Sequence, residues 1–246
     1  MKHLVNLGRF KVLVDTFNTG LELEVLEELF CSSGDSEEDE DVFEVLVDDF
    51  LSRLTKFDIS KLSKIEKIIL VWKIRELTIG DDINIVYKCP SCGCPCQQTI
   101  SVEDLCHTGE EVERNTFYKK LISEEELERL SENDFLGIED IEDLDFDLYN
   151  ELISEPKKFF IVYNNKTILN CSKCKFKSFD NLLTFKGCLK FISEDKFDKL
   201  VEWINVLVYY GNFTRQDILN MSPIQRMLEI NLFKKIKAKE QDSNGF

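Results

Sequence analysis

The sequence predicts an α+β fold, mostly helical, with two β-hairpins meeting at a zinc-ribbon-like four-cysteine site. Three observations predict it. The apolar run Ile83-Asn84-Ile85-Val86-Tyr87 leads directly into Cys89-Pro90-Ser91-Cys92-Gly93. A second such unit runs from Thr167-Ile168-Leu169-Asn170 into Cys171-Ser172-Lys173-Cys174. The flanking sequence repeats apolar residues at the three- and four-residue spacing of amphipathic helices. A C-x-x-C turn at a strand end presents two thiolates on one side of a tight loop. Two such turns complete the four-sulfur tetrahedron that zinc takes.

The predicted organisation has four segments. Residues 1–82 hold an N-terminal strand and helices with an acidic loop at 32–41. Residues 83–102 plus 157–190 form the zinc-ribbon-like hairpins, residues 103–156 an acidic helical insert, and residues 191–246 the C-terminal helices. With 246 residues and 43% apolar content the chain can bury a substantial core. A formal net charge of −16 argues against a phosphate backbone as main partner, because nucleic-acid affinity rests on clustered Lys and Arg. The charge is uneven: 122–155 carries 14 acidic residues against Arg129, whereas 157–190 carries eight lysines against Asp180. These two patches either offset each other within the molecule or dock onto partner subunits.

Nine cysteines without a long apolar stretch after Met1 predict reduced thiols in a reducing compartment rather than a secreted disulfide scaffold. No apolar run approaches the roughly 20 residues that span a bilayer, so no membrane association is expected.

Taken in order, Phe10 to Val14 reads as a short strand. A helix from Leu21 carries Leu23, Leu26, Leu29 and Phe30 on one side and Glu22, Glu24, Glu27 and Glu28 elsewhere. The run Ser32 to Asp41 has nothing apolar to bury and reads as an exposed loop. Val42 to Leu54 predicts a helix with Phe43, Leu46, Val47, Phe50, Leu51 and Leu54 inward. The capping box Ser63-Lys64-Ile65-Glu66 opens a third helix, with Ile65, Ile68, Ile69, Trp72 and Leu77 as its apolar face and Gly80 as its stop.

Ile83 to Val102 then predicts a hairpin with cysteines at its tip. Glu110 to Asn150 reads as helical, with a capping box at Ser123-Glu124-Glu125-Glu126. Phe159 to Leu169 reads as a second hairpin around Asn164-Asn165, a pair suited to positive φ. Ser193 is expected to cap a helix carrying Leu200, Ile204 and Leu207. Ser222, Pro223 and Gln225 open a last helix whose final turns, Lys234 to Lys239, suit the negative end of its dipole, with a frayed tail after Glu240.

The expected metal ligands are Cys89, Cys92, Cys171 and Cys174, holding one structural zinc per chain. Cys94 and Cys96 lie close enough in sequence to replace a member of the first pair. Cys106-His107 reads as a surface histidine beside a half-buried thiol, and Cys31 and Cys188 read as small packed hydrophobes. Four thiolates close a zinc site to substrate, whereas a catalytic zinc keeps an open position. The chain also lacks the H-x-E deaminase pattern, the G-x-S-x-G elbow and a phosphate-binding glycine loop, so no enzyme and no small-molecule substrate is expected.

The passage Phe57-Asp58-Ile59-Ser60-Lys61-Leu62, then Ile68 to Asp82 with Ile74-Arg75-Glu76-Leu77-Thr78-Ile79-Gly80-Asp81, then Tyr87 to Gly93, resembles the baseplate hub proteins of T4-type contractile-tailed bacteriophages. In that family a helix ending close to I-R-x-x-S-x-G-[DE] leads into a strand and a cysteine turn; Thr78 stands here where the family often has Ser. Gly211 to Arg226 resembles the family's closing helices, while the acidic loop and the insert lie outside the resemblance. It implies a non-enzymatic protein of baseplate central hub assembly, as hub subunit or assembly factor, with other hub proteins as partners. It would reside in the host cytoplasm during assembly or in the virion tail baseplate. The alternative from another class is a zinc-ribbon adaptor, binding nucleic acid or a transcription partner through the lysines of 157–190.

Overall fold

The computed structural model describes residues 2–7, 10–31, 39–105, 120–123, 160–163, 167–180 and 182–243. Among them are four two-stranded sheets and eight α-helices, in agreement with the mixed α+β expectation.

β1 (Lys2–Asn6) and β2 (Lys11–Asp15) form an antiparallel hairpin with Lys2 opposite Asp15. Alternation puts Val5, Val12 and Val14 inward and Leu4 and Leu13 outward. β2 is the expected strand; β1 is too polar to announce itself and is set by pairing. α1 (Thr19–Cys31) then packs Val25 and Leu26 inward. Two expectations fail on this helix: Glu22 is fully buried, and Cys31 and Phe30, at the helix end, are exposed.

α2 (Asp39–Leu54) buries Phe43, Val47, Phe50, Leu51 and Leu54 and half-buries Leu46, the predicted face. It begins earlier than expected, taking in the last acidic residues of 32–41. Acidic residues suit a helix N-terminus, where their charge meets the positive end of the dipole. Lys67 reaches back from the next helix to Glu44 and Asp48 at 2.9 Å each.

α3 (Lys64–Thr78) is the central helix, and its predicted capping box is present on Ser63 and Glu66. It buries Ile65, Ile68, Ile69 and Trp72 as expected, and also Leu70, Val71 and Ile74, because neighbours cover it on nearly every side. Leu77, expected inward, is 37% exposed at the helix end. One core runs from Val5 through α3 to Ile230.

The end of α3 aims the first hairpin. Thr78 Oγ1 donates to the Ile74 carbonyl at 2.7 Å, and Gly80 takes a φ of +131°, open to glycine without strain. Buried Arg75 donates to the carbonyls of Gly80 and Asp82 just past the helix and to that of Phe191 far along the chain, tying the turn into β3 to the core. Burial pulls the Arg75 pKa down from its ordinary value, offset by Glu194, Asp81 and Asp82. The residues that carry the I-R-x-x-S-x-G-[DE] resemblance thus fix where β3 starts.

β3 (Asp82–Lys88) and β4 (Pro95–Ser101) are antiparallel from Asp82–Ser101 to Lys88–Pro95. Short α4 (Val102–Leu105) follows. The insert is not helical throughout: β5 (Lys120–Ser123) pairs in parallel with β6 (Phe160–Tyr163). Tertiary pairing here overrides a helical pattern. The rest of the predicted helical insert, the Ser123 capping box beyond Ser123 itself, the Asn164-Asn165 turn and Cys106-His107 lie outside the described residues.

The second hairpin is therefore shifted from its expected place. β6 is committed to β5, and β7 (Thr167–Asn170) pairs antiparallel with β8 (Lys177–Asp180). Cys171 and Cys174 sit at the tip of this hairpin rather than behind its second strand.

The C-terminal helices begin earlier than expected, at α5 (Phe185–Lys190), capped by Thr184. α6 (Phe197–Tyr210) buries Leu200, Ile204 and Leu207, but its N-cap is Lys196; the Ser193 hydroxyl instead accepts from the Asp195 amide at 3.0 Å. α7 (Arg215–Asn220) carries a capping box of Thr214 and Asp217. In α8 (Pro223–Ser243) Ser222 and Gln225 exchange cap bonds at 3.0 and 3.2 Å as predicted. α8 runs on past Glu240, so its lysines precede the last turn rather than forming it.

Candidate metal centre

The two cysteine turns are built alike. In the first, the Cys89 amide donates to the Cys94 carbonyl at 2.9 Å and the Gly93 amide to the Cys89 carbonyl at 2.8 Å. In the second, the Cys171 amide donates to the Phe176 carbonyl and the Lys175 amide to the Cys171 carbonyl, both at 2.9 Å. The residue after the second cysteine is left-handed in each, with φ of +69° at Gly93 and +62° at Lys175. The amide of that residue closes each turn onto the first cysteine's carbonyl, and each hairpin tip offers two sulfurs to one group.

The fold brings the two tips together. The Sγ atoms of Cys89, Cys92, Cys171 and Cys174 all lie within 4.8 Å of one another. Cys89 Sγ is 3.6 Å from Cys174 Sγ, and Cys92 Sγ is 3.6 Å from Cys171 Sγ. A tetrahedral zinc with bonds near 2.3 Å sets its sulfurs about 3.8 Å apart, so the spacing fits such an ion. Four Sγ atoms in reach of one centre are compatible with a metal site, and all four predicted ligands take part.

Cys89 and Cys171 are buried, Cys92 and Cys174 exposed. The backbone amide of Cys174, 3.5 Å from Cys171 Sγ, holds the Cys171 thiol down to about 6 against desolvation, with help from the Lys173 amide. Cys92 goes the other way. The Cys94 amide pulls its pKa down, but desolvation and the crowding thiols Cys174, Cys171 and Cys89 outweigh it. Crowded thiols share protons, and a cation that neutralises them removes the conflict.

Cys94 and Cys96 separate in the structure. Cys96 is buried beside Cys89, Cys171 and Tyr87, with its Sγ 3.6 Å from the Cys94 carbonyl, and Cys94 is half-buried. Neither belongs to the four-sulfur group. Cys188 is fully buried in the main core, as expected of a small hydrophobe.

Sequence reasoning misses Gln98. From β4 its side-chain nitrogen donates to the Ile168 carbonyl at 2.9 Å, and its oxygen accepts the Asn170 amide at 3.0 Å. A side-chain amide thereby stands in for a strand edge and ties one hairpin to the other just behind the thiols. In sequence it is one polar residue among alternating ones, with nothing to mark it. Lys175 is legible, since aligning the two turns places it opposite Gly93.

Two open clefts, about 480 and 530 Å³, lie elsewhere, around Lys11, Arg53 and Phe57 and around Asn18, Gln216 and Asn220. Neither is lined by a cysteine or a histidine. Among the described residues no helix is long and apolar enough to cross a membrane. No family model, curated protein or solved structure matches the chain.

Proposed function

We propose that this chain is a non-enzymatic assembly protein in which one structural zinc, held by Cys89, Cys92, Cys171 and Cys174, clamps two hairpins. The observation that carries the metal reading is the convergence of four thiols, 79 and 85 residues apart in their close pairs, at the spacing of a tetrahedral ion. A cluster built only of sulfur closes the coordination sphere, which suits a structural rather than a catalytic role. The ion would do the work of core packing where two narrow hairpins bury little apolar surface.

The setting we propose is the central hub of a T4-type phage baseplate, as hub subunit or assembly factor. Support comes from the sequence resemblance over 57–93 and 211–226. The role that Arg75, Thr78 and Gly80 play in aiming the cysteine hairpin gives that motif a physical purpose. Lys173 and Lys175, exposed on the second cysteine turn, favour the adaptor as second reading.

Metal analysis of the purified chain should return about one zinc per molecule. Loss of the ion in the double variant Cys171→Ser/Cys174→Ser is expected; retention there would overturn the four-sulfur site. Mixing the chain with purified T4-type hub proteins should give a complex on a sizing column. If instead it binds nucleic acid with an affinity that falls steeply with salt, the adaptor reading replaces the hub reading.

A further inference from the structure

Among the described residues, α8 carries an apolar ridge that stays exposed. Ile224, Leu228, Leu232 and Ile236 recur every fourth residue and are 41%, 62%, 53% and 47% exposed, while Arg226 and Ile230 on the other side of the helix are buried. We propose that this ridge pairs antiparallel with the same ridge of a second copy of this chain.

Self-complementarity argues for the second copy. The order Ile-Leu-Leu-Ile reads the same in both directions, so a two-fold axis beside Ile230 sets Leu228 against Leu232 of the partner subunit, and both outer positions again meet isoleucine. Ridges of i, i+4 residues interdigitate when two helices cross at about −50°, which makes the two leucines the centre of contact.

Charge selects the direction. Lys235 and Lys239 flank the C-terminal half of the ridge. A parallel pair would stack these lysines on themselves. The antiparallel pair sends them to opposite ends and brings Lys235 to about one helical turn from Glu229 of the partner subunit. The exposed fractions amount to on the order of 400 Å² of apolar surface per chain, and with the lysine stems a pair covers about 1,000 Å², the lower limit of a specific contact. The dimer is therefore reversible.

Sedimentation equilibrium of the full chain in reductant tests this. The expected result is dimer at about 100 µM, dissociating towards monomer near 1 µM. Leu228→Glu and Leu232→Lys each weaken association roughly 100-fold, with helical circular dichroism unchanged since both positions face solvent. Mixing the two variants restores a heterodimer, because antiparallel register opposes the introduced carboxylate to the introduced ammonium and leaves the other leucine pair intact. A wild-type chain that stays monomeric overturns the proposal, and so does one whose ridge is covered by an acidic segment of its own. A dimer untouched by either variant places the contact on another face and also overturns it. Failure of the mixture to pair overturns the antiparallel register.

Discussion

Gln98 and Asn170 lie 72 residues apart and are joined by a 3.0 Å bond from the Asn170 amide to the Gln98 side-chain oxygen, with the Gln98 nitrogen held by the neighbouring Ile168 carbonyl. The two bonds fix the hairpins against each other before any ion arrives. Gln98→Ala is expected to lower zinc affinity about ten-fold, since each net bond contributes about 1 kcal/mol at most in this half-exposed place. Gln98→Glu keeps the acceptor but loses the donor, so its affinity falls between the two. Competition against a chelator of known strength measures this; equal affinities in all three proteins would refute the clamp.

Lys175 holds a φ of +62°, a conformation that costs a residue with a Cβ about 1 kcal/mol relative to glycine. Lys175→Gly should therefore stabilise the second turn by roughly 0.5–1 kcal/mol. Gly93→Ala should destabilise the first by a similar amount. An added Cβ at Gly93 meets nothing within 4 Å, so the whole effect is backbone strain. Urea unfolding of the metal-loaded protein reads both; a loss of stability in the Lys175→Gly variant would contradict the shared turn geometry.

Arg226 and Glu22 form a buried pair between α8 and α1, with Arg226 Nη2 3.2 Å from Glu22 Oε1 and Nη1 3.1 Å from Thr19 Oγ1. Removing Arg226 strands the Glu22 carboxylate in the core, and removing Glu22 leaves the buried guanidinium only the longer, partly exposed contact to Asp195 at 3.6 Å. Glu22→Gln or Arg226→Met should cost about 3–5 kcal/mol. The double variant Glu22→Leu/Arg226→Met should cost less than the sum, because no fully buried charge is left behind and Asp195 is partly exposed. Additive losses in a double-mutant cycle would show that the two residues act separately.

Metal affinity should rise with pH. Zinc takes four thiolates, so binding expels the protons still held by the cluster. Cys171, held down to about 6 by the Cys174 amide, is largely ionised at neutral pH, whereas Cys92, pushed up, is not. The folded pKa of Cys171 lies below its unfolded value. Its contribution to the stability of the metal-free chain is thus present above the unfolded value and fades as pH falls through about 6. Both effects weaken the holo protein in acid. Calorimetry at pH 6 and pH 8 in two buffers should show tighter binding and fewer protons released at pH 8; the opposite trend would exclude thiolate ligation.

Local chemistry made much of this protein legible. The capping box Ser63/Glu66, the start of α8 at Ser222-Pro223 and the inward face of α2 follow from residue type and spacing, because each is decided within one or two turns of helix. So does the identity of the four thiols, since two cysteines with two residues between them behind a strand have one compact way to face a common centre. Partners distant in sequence decided the rest. β6 pairs with β5 and not β7, Glu22 turns inward because Arg226 waits there, and Leu77 stays outside where α3 runs out of neighbours. The sequence by itself determined which residues could hold a metal and how each turn would shape two of them. Only the tertiary structure decided that the second turn caps a β7–β8 hairpin and that Gln98 would hold the two hairpins in register. A strand's ladder and a buried charge take their partners from across the chain, and no local pattern records them.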